Sequence, residues 1–176
     1  MIIKIIKEIF NRYNKLKDPI KFYRNQGINI GENCEIRNGV YFSSEPYLIT
    51  IGNHVRINAG VEFVTHDGGV WVLREKSIIA NRENITLFGP IKVGNNVHIG
   101  SRAIIMPNVK IGNNCIIGCG AIVTKDIPDN SIVAGIPAKI IETIDEYEKK
   151  HREHFCFTKN MTPKELKIFL KNKYKL

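Results

Sequence analysis

Aliphatic residues recur at every sixth position through the second half of this chain, at Val93, Ile99, Ile105, Ile111, Ile117 and Val123. An α-helix repeats near 3.6 residues and a β-strand at 2.0, so neither produces a period of six. The residue four positions further on is also apolar, in order Val97, Ala103, Val109, Cys115, Ala121 and Ile127. Single repeats of this kind cannot bury their apolar faces, whereas a stack of them can. The period therefore predicts a parallel β-helix.

The same register returns nearer the N terminus, in shorter blocks that begin at Ile30 and Ile51. Two segments break it, because residues 43–50 lengthen one face and residues 65–91 leave the repeat altogether. Loops longer than about a dozen residues in a compact domain are usually functional or disordered. The second segment contains His66, Asp67 and Trp71, a poor composition for disorder. We therefore expect an ordered excursion loop over residues 65–91.

Several of these repeats resemble those of the hexapeptide-repeat acyltransferases. Within that superfamily the resemblance is greatest to maltose, galactoside and xenobiotic O-acetyltransferases, and to O-acetyltransferases of capsule and lipopolysaccharide assembly. It implies a left-handed parallel β-helix, a homotrimer with active sites at subunit interfaces, and acetyl-CoA as the donor with no metal required. The resemblance spans residues 28–141 and is carried by residues 99–101, 117–121, 123–128 and 134–139.

Composition limits the kinds of partner. The 176 residues suffice for one domain with a sizeable core, and 26 Lys and Arg against 17 Asp and Glu give a net charge of +9. A basic surface suits nucleic acid, an anionic membrane or a phosphorylated ligand, or it reflects lysine-rich surface usage alone. Because no nucleic-acid recognition motif is visible, we expect no nucleic-acid partner. Four cysteines without a CxxC motif or a secretion signal predict free thiols and a cytoplasmic location.

Both ends of the chain read as helical segments. Residues 1–27 begin with an apolar stripe among lysines, too short and too charged to span a membrane. Its first 17 residues suit either an anionic membrane surface, as a peripheral contact at the inner face, or packing against the β-helix or a neighbouring subunit. Residues 142–176 contain Thr162, Pro163 and Glu165, which predict a capping box that opens a helix. An earlier helix is expected over residues 143–155.

His66 is the candidate catalytic base. Acyl transfer from a thioester to a hydroxyl needs a group that takes the hydroxyl proton, and histidine suits this because its ordinary pKa lies near 6.5. From the residues alone, a histidine before two glycines is equally well a turn residue. The resemblance implies that it is catalytic, because the family's histidine also leaves the coil in a Thr-His context. Glu45 is favoured over Asp67 as the partner of the ring, and a backbone carbonyl is the alternative.

The resemblance also implies a donor site. Ser101 matches a position beside the thioester, and Gly118, Cys119 and Gly120 match a stretch whose backbone binds the pantetheine. Thr124, Lys125 and Lys139 match positions near the adenosine and its phosphates. Simple turning of the coil explains the two glycines equally well. The chain departs from its relatives at His98, where the sugar acetyltransferases often have tryptophan.

The sequence indicates contacts to the acceptor less strongly than those to the donor. Trp71 and Arg74 lie in the excursion loop, and Asn38 matches the neighbourhood where related enzymes hold the acceptor. The favoured function is an acetyl-CoA-dependent O-acetyltransferase that acts on a hydroxyl of a sugar or surface glycan. Alternatives are N-acetylation of a nucleotide-linked amino sugar, a γ-carbonic-anhydrase-like zinc enzyme using His54 and His66, and a non-catalytic β-helix.

Overall fold

The computed structural model describes Ile6, Tyr13 and residues 15–176. Most of the amphipathic helix predicted over residues 1–17 therefore lies outside the described residues. Residues 15–17 of that segment are described, and they are helical. The chain forms two compact units, one ending at Ile144 and the other spanning Asp145–Leu176. In the part of the chain that the structure describes, no helix combines enough length and apolar character to cross a bilayer.

Within residues 15–144, the first unit contains three sheets of short strands, to which the chain contributes in turn. Sheet A is formed by β1 (Asn29–Ile30), β3 (Ile49–Ile51), β6 (Ile91–Val93) and β9 (Lys110–Ile111). Sheet B is formed by β2 (Glu35–Ile36), β4 (Val55–Ile57), β7 (Val97–Ile99), β10 (Cys115–Ile117), β12 (Ser131–Ala134) and β13 (Lys139–Thr143). Sheet C is formed by β5 (Glu62–Phe63), β8 (Ile104–Ile105) and β11 (Ile122–Val123).

Neighbours within each sheet come from successive turns of the chain and pair in parallel, which confirms the predicted stacking of parallel strands. Among the strands of the described residues, β13 is the one that pairs in antiparallel fashion, against β12. We number the turns as coils 1 to 5, which begin at Asn29, Ile49, Ile91, Lys110 and Ile127. We call the connections the AB corner (31–34, 52–54, 94–96, 112–114, 128–130), the BC corner (37–40, 58–61, 100–103, 118–121, 135–138) and the CA corner (43–48, 64–90, 106–109, 124–126).

The interior of the coil is filled by the residues that the period of six selects. Every aliphatic residue from Val93 to Val123 in that series is buried, and so is every residue four positions further on. At the N-terminal end, Phe42 and Phe63 stack with ring centroids 5.0 Å apart. Large and small apolar side chains on all three faces therefore meet in one continuous core.

Helix α1 (Pro19–Arg24) packs at the first coil. Its N-cap is Asp18, whose side chain accepts a hydrogen bond of 2.9 Å from the backbone N–H of Lys21. The ring of Tyr23 is buried against Phe42, and its hydroxyl donates to the carbonyl oxygen of Val40 at 3.2 Å. The helix therefore covers apolar surface that the first coil leaves without a preceding neighbour.

Side chains repeat along the AB corner as two ladders. In the first ladder, an Oδ1 atom accepts a hydrogen bond of 2.7–2.9 Å from the backbone N–H of the residue one coil earlier, at Asn53, Asn95, Asn113 and Asp129. In the second, each side chain bonds to the next at 2.8–2.9 Å, through His54, Asn96, Asn114 and Asn130. Members of the second ladder have positive φ, a conformation that asparagine tolerates better than most residues.

The second unit consists mainly of helices. Helix α2 (Val70–Lys76) belongs to the first unit and lies in the excursion. Helix α3 (Ile144–His151) begins at the last residue of the first unit and is followed by a 3₁₀ turn, Arg152–His154. The α-helix predicted to reach residue 155 thus ends four residues earlier. Helix α4 (Pro163–Tyr174) opens with the predicted capping box between Thr162 and Glu165.

The domain boundary expected at residue 141 falls inside β13, because that strand continues to pair with β12.

Candidate active site

The excursion begins and ends at the CA corner of coil 2. Its two ends, residues 65–67 and 87–89, lie side by side, and we call them the neck. Its two ends pair in antiparallel fashion, with His66 opposite Phe88. The backbone N–H of Asp67 donates to Leu87 at 2.8 Å, and that of Gly89 donates to Thr65 at 2.8 Å. The neck therefore fixes the backbone on both sides of His66.

Beyond the neck the excursion contains helix α2 (Val70–Lys76) and a 3₁₀ turn, Arg82–Asn84. Trp71, expected in a loop, lies on this helix with 74% of its surface exposed. Arg74 directs its guanidinium to the carbonyl oxygen of Ile85, which accepts bonds of 3.1 and 2.9 Å from Nε and Nη2. Arg74 thus joins the helix to the returning segment of the excursion, and its role toward an acceptor stays a prediction.

Glu45 meets His66 across two adjacent coils. Glu45 lies at the CA corner of coil 1, just before the 3₁₀ turn Pro46–Leu48. Its Oε2 atom lies 3.0 Å from Nδ1 of His66 and accepts a 2.7 Å hydrogen bond from the hydroxyl of Thr65. The side chain of His66 is 38% exposed and that of Glu45 is 16% exposed. The imidazole is therefore held on one side and open to solvent on the other.

These contacts determine which ring nitrogen is free. Hydrogen bonds from the Thr65 hydroxyl and then from His66 lower the pKa of Glu45. An ionised carboxylate only accepts hydrogen bonds, so the proton between the two groups belongs to Nδ1 of His66. In the neutral imidazole the unprotonated nitrogen is then Nε2, which carries the lone pair that a general base uses.

Thr65 is a member of this cluster that sequence reasoning missed as a functional residue. It is fully buried, its hydroxyl donates to Glu45, and its backbone N–H donates to Oγ of Ser43 at 3.3 Å. The available signal was adjacency, because Thr65 directly precedes His66 in the Thr-His pair through which the resemblance assigned the base. Asp67, the other carboxylate considered for the ring, accepts instead from the backbone N–H of Gly69 at 2.7 Å, a local turn.

Four predicted donor residues lie at the BC corner, namely Ser101, Gly118, Cys119 and Gly120. Ser101 and Gly120 lie in adjacent coils, and the carbonyl oxygen of Ser101 accepts a 2.9 Å hydrogen bond from Gly120. A Cβ atom at Gly118 would lie 2.9 Å from Cβ of Ala134, so packing between coils requires that glycine. A Cβ atom at Gly120 would meet nothing within 4 Å, and its neighbour Cys119 is exposed. This surface is open to a ligand.

The remaining predicted residues are divided between the two edges of sheet C. Thr124 and Lys125 follow β11 at the CA corner, two coils beyond His66, and both are exposed. Lys139 is the exposed first residue of β13, and Asn38 is exposed at the BC corner of coil 1. Within one chain, the structure therefore places Asn38 and the donor residues Ser101 and Gly118–Gly120 at a different corner from His66.

The histidines considered for zinc are also separated. His54 belongs to the AB corner, where its Nδ1 lies 2.8 Å from Oδ1 of Asn96, whereas His66 lies at the CA corner. Among residues 15–176 no group of three or more His, Cys, Asp or Glu side chains is placed to hold a metal ion. His98 lies on β7, where burial and the nearby charge of Arg56 lower its pKa.

Comparisons with known proteins identify the class to which this three-sided parallel coil belongs. The family description "Bacterial transferase hexapeptide (six repeats)" matches residues 90–125, and "Hexapeptide repeat of succinyl-transferase" matches residues 25–43. Protein CapG of Staphylococcus aureus is 49% identical over 97% of this chain and 97% of its own length. Galactoside O-acetyltransferase of Escherichia coli is 35% identical over 84% of this chain and 70% of its own length.

Solved structures give the same result. A hexapeptide-repeat-containing acetyltransferase of Vibrio cholerae, complexed with acetyl-coenzyme A, matches with a TM-score of 0.55 and 29% identity over 67% of this chain and 61% of its own. A galactoside acetyltransferase in complex with coenzyme A matches with a TM-score of 0.55 and 27% identity over 82% of each chain. The chain belongs to the hexapeptide-repeat acyltransferases, as the sequence motifs indicated, and it is an acyltransferase enzyme.

Proposed function

We propose that this protein is an acetyl-CoA-dependent O-acetyltransferase that acts on a hydroxyl of a sugar or surface glycan. The observation that carries the proposal is the contact of His66 with Glu45, which leaves Nε2 as the basic nitrogen on the exposed side of the ring. Two relatives support the chemistry: a galactoside O-acetyltransferase is 35% identical to this chain over 70% of its own length, and a solved neighbour is complexed with acetyl-coenzyme A.

The reaction is a direct transfer. Nε2 of His66 takes the proton of the acceptor hydroxyl as its oxygen attacks the thioester carbonyl carbon, and a tetrahedral intermediate forms. The carbonyl π electrons move onto the oxygen, which backbone N–H groups of the coil stabilise. The intermediate then collapses, the C–S bond breaks, and the imidazolium returns its proton to the departing thiolate. Glu45 holds Nδ1–H in place throughout and stabilises the positive charge that the ring acquires.

The donor would lie along the open BC surface. Cys119 and Gly120 present exposed backbone with no side chain above Gly120 within 4 Å, which lets an extended pantetheine approach closely. Ser101 would lie beside the thioester. Lys139 is an exposed cation two coils beyond coil 3 and directly follows the BC corner, which suits phosphate groups at the far end of the same ligand. Lys125 is exposed at the CA corner and would approach that end of the ligand from a neighbouring subunit.

A left-handed homotrimer with active sites between subunits completes this arrangement. The proposed base and the proposed thioester contact lie on opposite edges of sheet C in one chain, so a shared site requires the CA corner of one subunit to face the BC corner of another. A closed ring of three does this at every interface. Sedimentation at micromolar concentration should therefore give a trimer, and a monomer would contradict the shared site.

The replacement His66→Asn tests the function. Loss of a general base lowers turnover by about 10²- to 10⁴-fold, and the acetyl-CoA dissociation constant should hardly change because His66 acts on the acceptor. Turnover would be measured with acetyl-CoA against a panel of sugars and short glycans, and donor affinity by calorimetry. His54→Asn is the matched control, because that histidine lies at the AB corner and should retain wild-type turnover. Near-wild-type turnover in His66→Asn refutes the assignment.

A further inference from the structure

Arg102 occupies a backbone conformation that the BC corner otherwise gives to glycine. The equivalent residue is Gly39 in coil 1, Gly60 in coil 2 and Gly120 in coil 4, with φ of 80°, 71° and 68°. In coil 3 it is Arg102, with φ of 60°. A residue with a long side chain is disfavoured in this region, so the corner would form more easily with glycine. Folding of the coil therefore does not explain the arginine.

The side chain of Arg102 runs toward the N-terminal coils. Its Cγ lies 3.2 Å from the place that a Cβ atom of Gly60 would take, and its backbone N–H donates to Ala59 at 3.1 Å. The stem therefore lies over coil 2, away from Cys119 and Gly120 of coil 4. Gly60 provides the room for it.

The guanidinium of Arg102 is exposed and has no hydrogen-bond or ion-pair partner among residues 15–176. Other arginines nearby are occupied, since Arg37 and Arg56 both pair with Glu35 at 2.8 and 3.1 Å. In the excursion, Arg74 and Arg82 donate to backbone carbonyls. Arg102 is therefore a cation held by its stem and open at its charged end.

The height of Arg102 along the coil separates it from the proposed phosphate contacts. Its stem covers coil 2, the coil that ends at His66, whereas Lys125 and Lys139 belong to coils 4 and 5. Adjacent coils are about 4.8 Å apart, so these lysines lie about 10–14 Å further along the axis. In a trimer whose threefold axis follows the coil, the Arg102 of one subunit lies level with the His66 of its neighbour.

Resting on the proposed function, we propose that Arg102 is a specificity-determining residue that binds a negatively charged group of the acceptor. A guanidinium offers two parallel N–H donors to a carboxylate or a phosphate, and charge-assisted bonds of this kind are stronger than neutral ones. The acceptor class is then an anionic sugar, either a uronic acid or a sugar phosphate. The charged group would bind beside the hydroxyl that His66 deprotonates.

The test compares wild type with Arg102→Gly and Arg102→Gln. The glycine variant reproduces the residue found in coils 1, 2 and 4 and should fold well, and the glutamine variant keeps a polar side chain without the charge. Lys92→Gln is the control, because it removes an exposed cation of sheet A. The acceptors are methyl glucoside, methyl glucuronide and glucose 1-phosphate, which separate no charge, a carboxylate and a phosphate. Acetyl transfer gives kcat/KM, ligand-observed NMR gives acceptor binding, and calorimetry gives acetyl-CoA binding.

The expected result is that wild type binds one of the two anionic acceptors more tightly than the glucoside. Both Arg102 variants should lower the preference for that acceptor over the glucoside by about 10- to 100-fold, the loss expected for a charge-assisted contact. Lys92→Gln should keep the wild-type preference. The inference is overturned if wild type binds neither anion in preference to the glucoside, if the variants keep the preference, or if they weaken acetyl-CoA binding instead. Absence of acetyl transfer to any acceptor, with anion binding lost in the Arg102 variants, counts against the proposed function alone.

Discussion

The AB corner and the CA corner connect the same stack of strands and are built in opposite ways. At the AB corner each coil turns within three or four residues, and side-chain ladders run from Asn53 to Asp129 and from His54 to Asn130. At the CA corner, coil 1 has an extra 3₁₀ turn and coil 2 has an excursion with its own helix. The repeat is kept at one corner and broken at the other.

The difference shows where this scaffold has room for chemistry. A ladder satisfies each polar group with a neighbour of the same kind, so little is left to bind anything else. The broken corner instead brings together different groups, a carboxylate from coil 1 and an imidazole from coil 2. Substitutions at the AB corner should therefore change stability, whereas substitutions at the CA corner should change turnover.

Gly94→Ala and Gly68→Ala should show the largest contrast. A Cβ atom at Gly94, the first residue of the AB corner of coil 3, would lie 2.6 Å from the carbonyl oxygen of Gly112, and the backbone cannot move aside without disrupting the ladder. We expect a loss of about 3 kcal/mol or more. A Cβ atom at Gly68 in the excursion would meet nothing within 4 Å, so the change should stay within about 1 kcal/mol. Urea unfolding at fixed protein concentration measures both, and similar losses would contradict the contrast.

Glu45→Gln should lower turnover by about 10- to 100-fold, part of the general-base contribution. The amide keeps the size of the side chain but no longer stabilises a positively charged ring. Binding of acetyl-CoA should hardly change, and calorimetry checks this. Asp67→Asn is the control, because its carboxylate accepts from Gly69 in a local turn and does not touch the ring. Equal losses in the two variants would mean that the pairing with His66 does not matter for the reaction.

Asn114→Ala should destabilise the coil by about 1–2 kcal/mol, because alanine is disfavoured at its φ of 53° and two ladder hydrogen bonds are lost. Asn114→Gly removes the same bonds but accepts the positive φ, so it should cost less, about 0.5–1 kcal/mol. Thermal unfolding of the two variants separates the conformational term from the hydrogen bonds. Turnover should stay near that of wild type in both, and a large loss would show that the AB corner takes part in the reaction.

The pH dependence of stability should differ least between the two corners. The folded state lowers the pKa of Glu45 through hydrogen bonds from Thr65 and His66. A carboxylate with a lowered folded-state pKa stabilises the protein above its ordinary pKa of about 4.3, and this contribution is lost as the pH falls through the lower folded value. Glu45→Gln should therefore flatten the decline in stability below about pH 4.3. Asp129→Asn should act in the same direction, since Asn113 lowers the pKa of Asp129. Urea midpoints between pH 3 and pH 6 would show no flattening if neither group contributes.

The repeat made most of the coil predictable. The residues at every sixth position and those four further on are buried as expected, because period and burial are tied by the geometry of a strand and a tight turn. Thr162 and Glu165 likewise form the expected capping box, which depends only on residues three apart. The excursion was located to within one residue at each end. The helix that contains Trp71 was not foreseen, since seven residues with one tryptophan carry a weak periodic signal.

The sequence by itself determined which residues face the core, where the chain turns and where the repeat is interrupted, because those features depend on neighbours within about six positions. Only the tertiary structure decided that Glu45 rather than Asp67 contacts His66, that Thr65 is buried beneath them, and that the stem of Arg102 lies over Gly60. These contacts join residues from adjacent coils. Stacking sets them, and the number of residues in each corner, including an irregular one, determines which side chains meet.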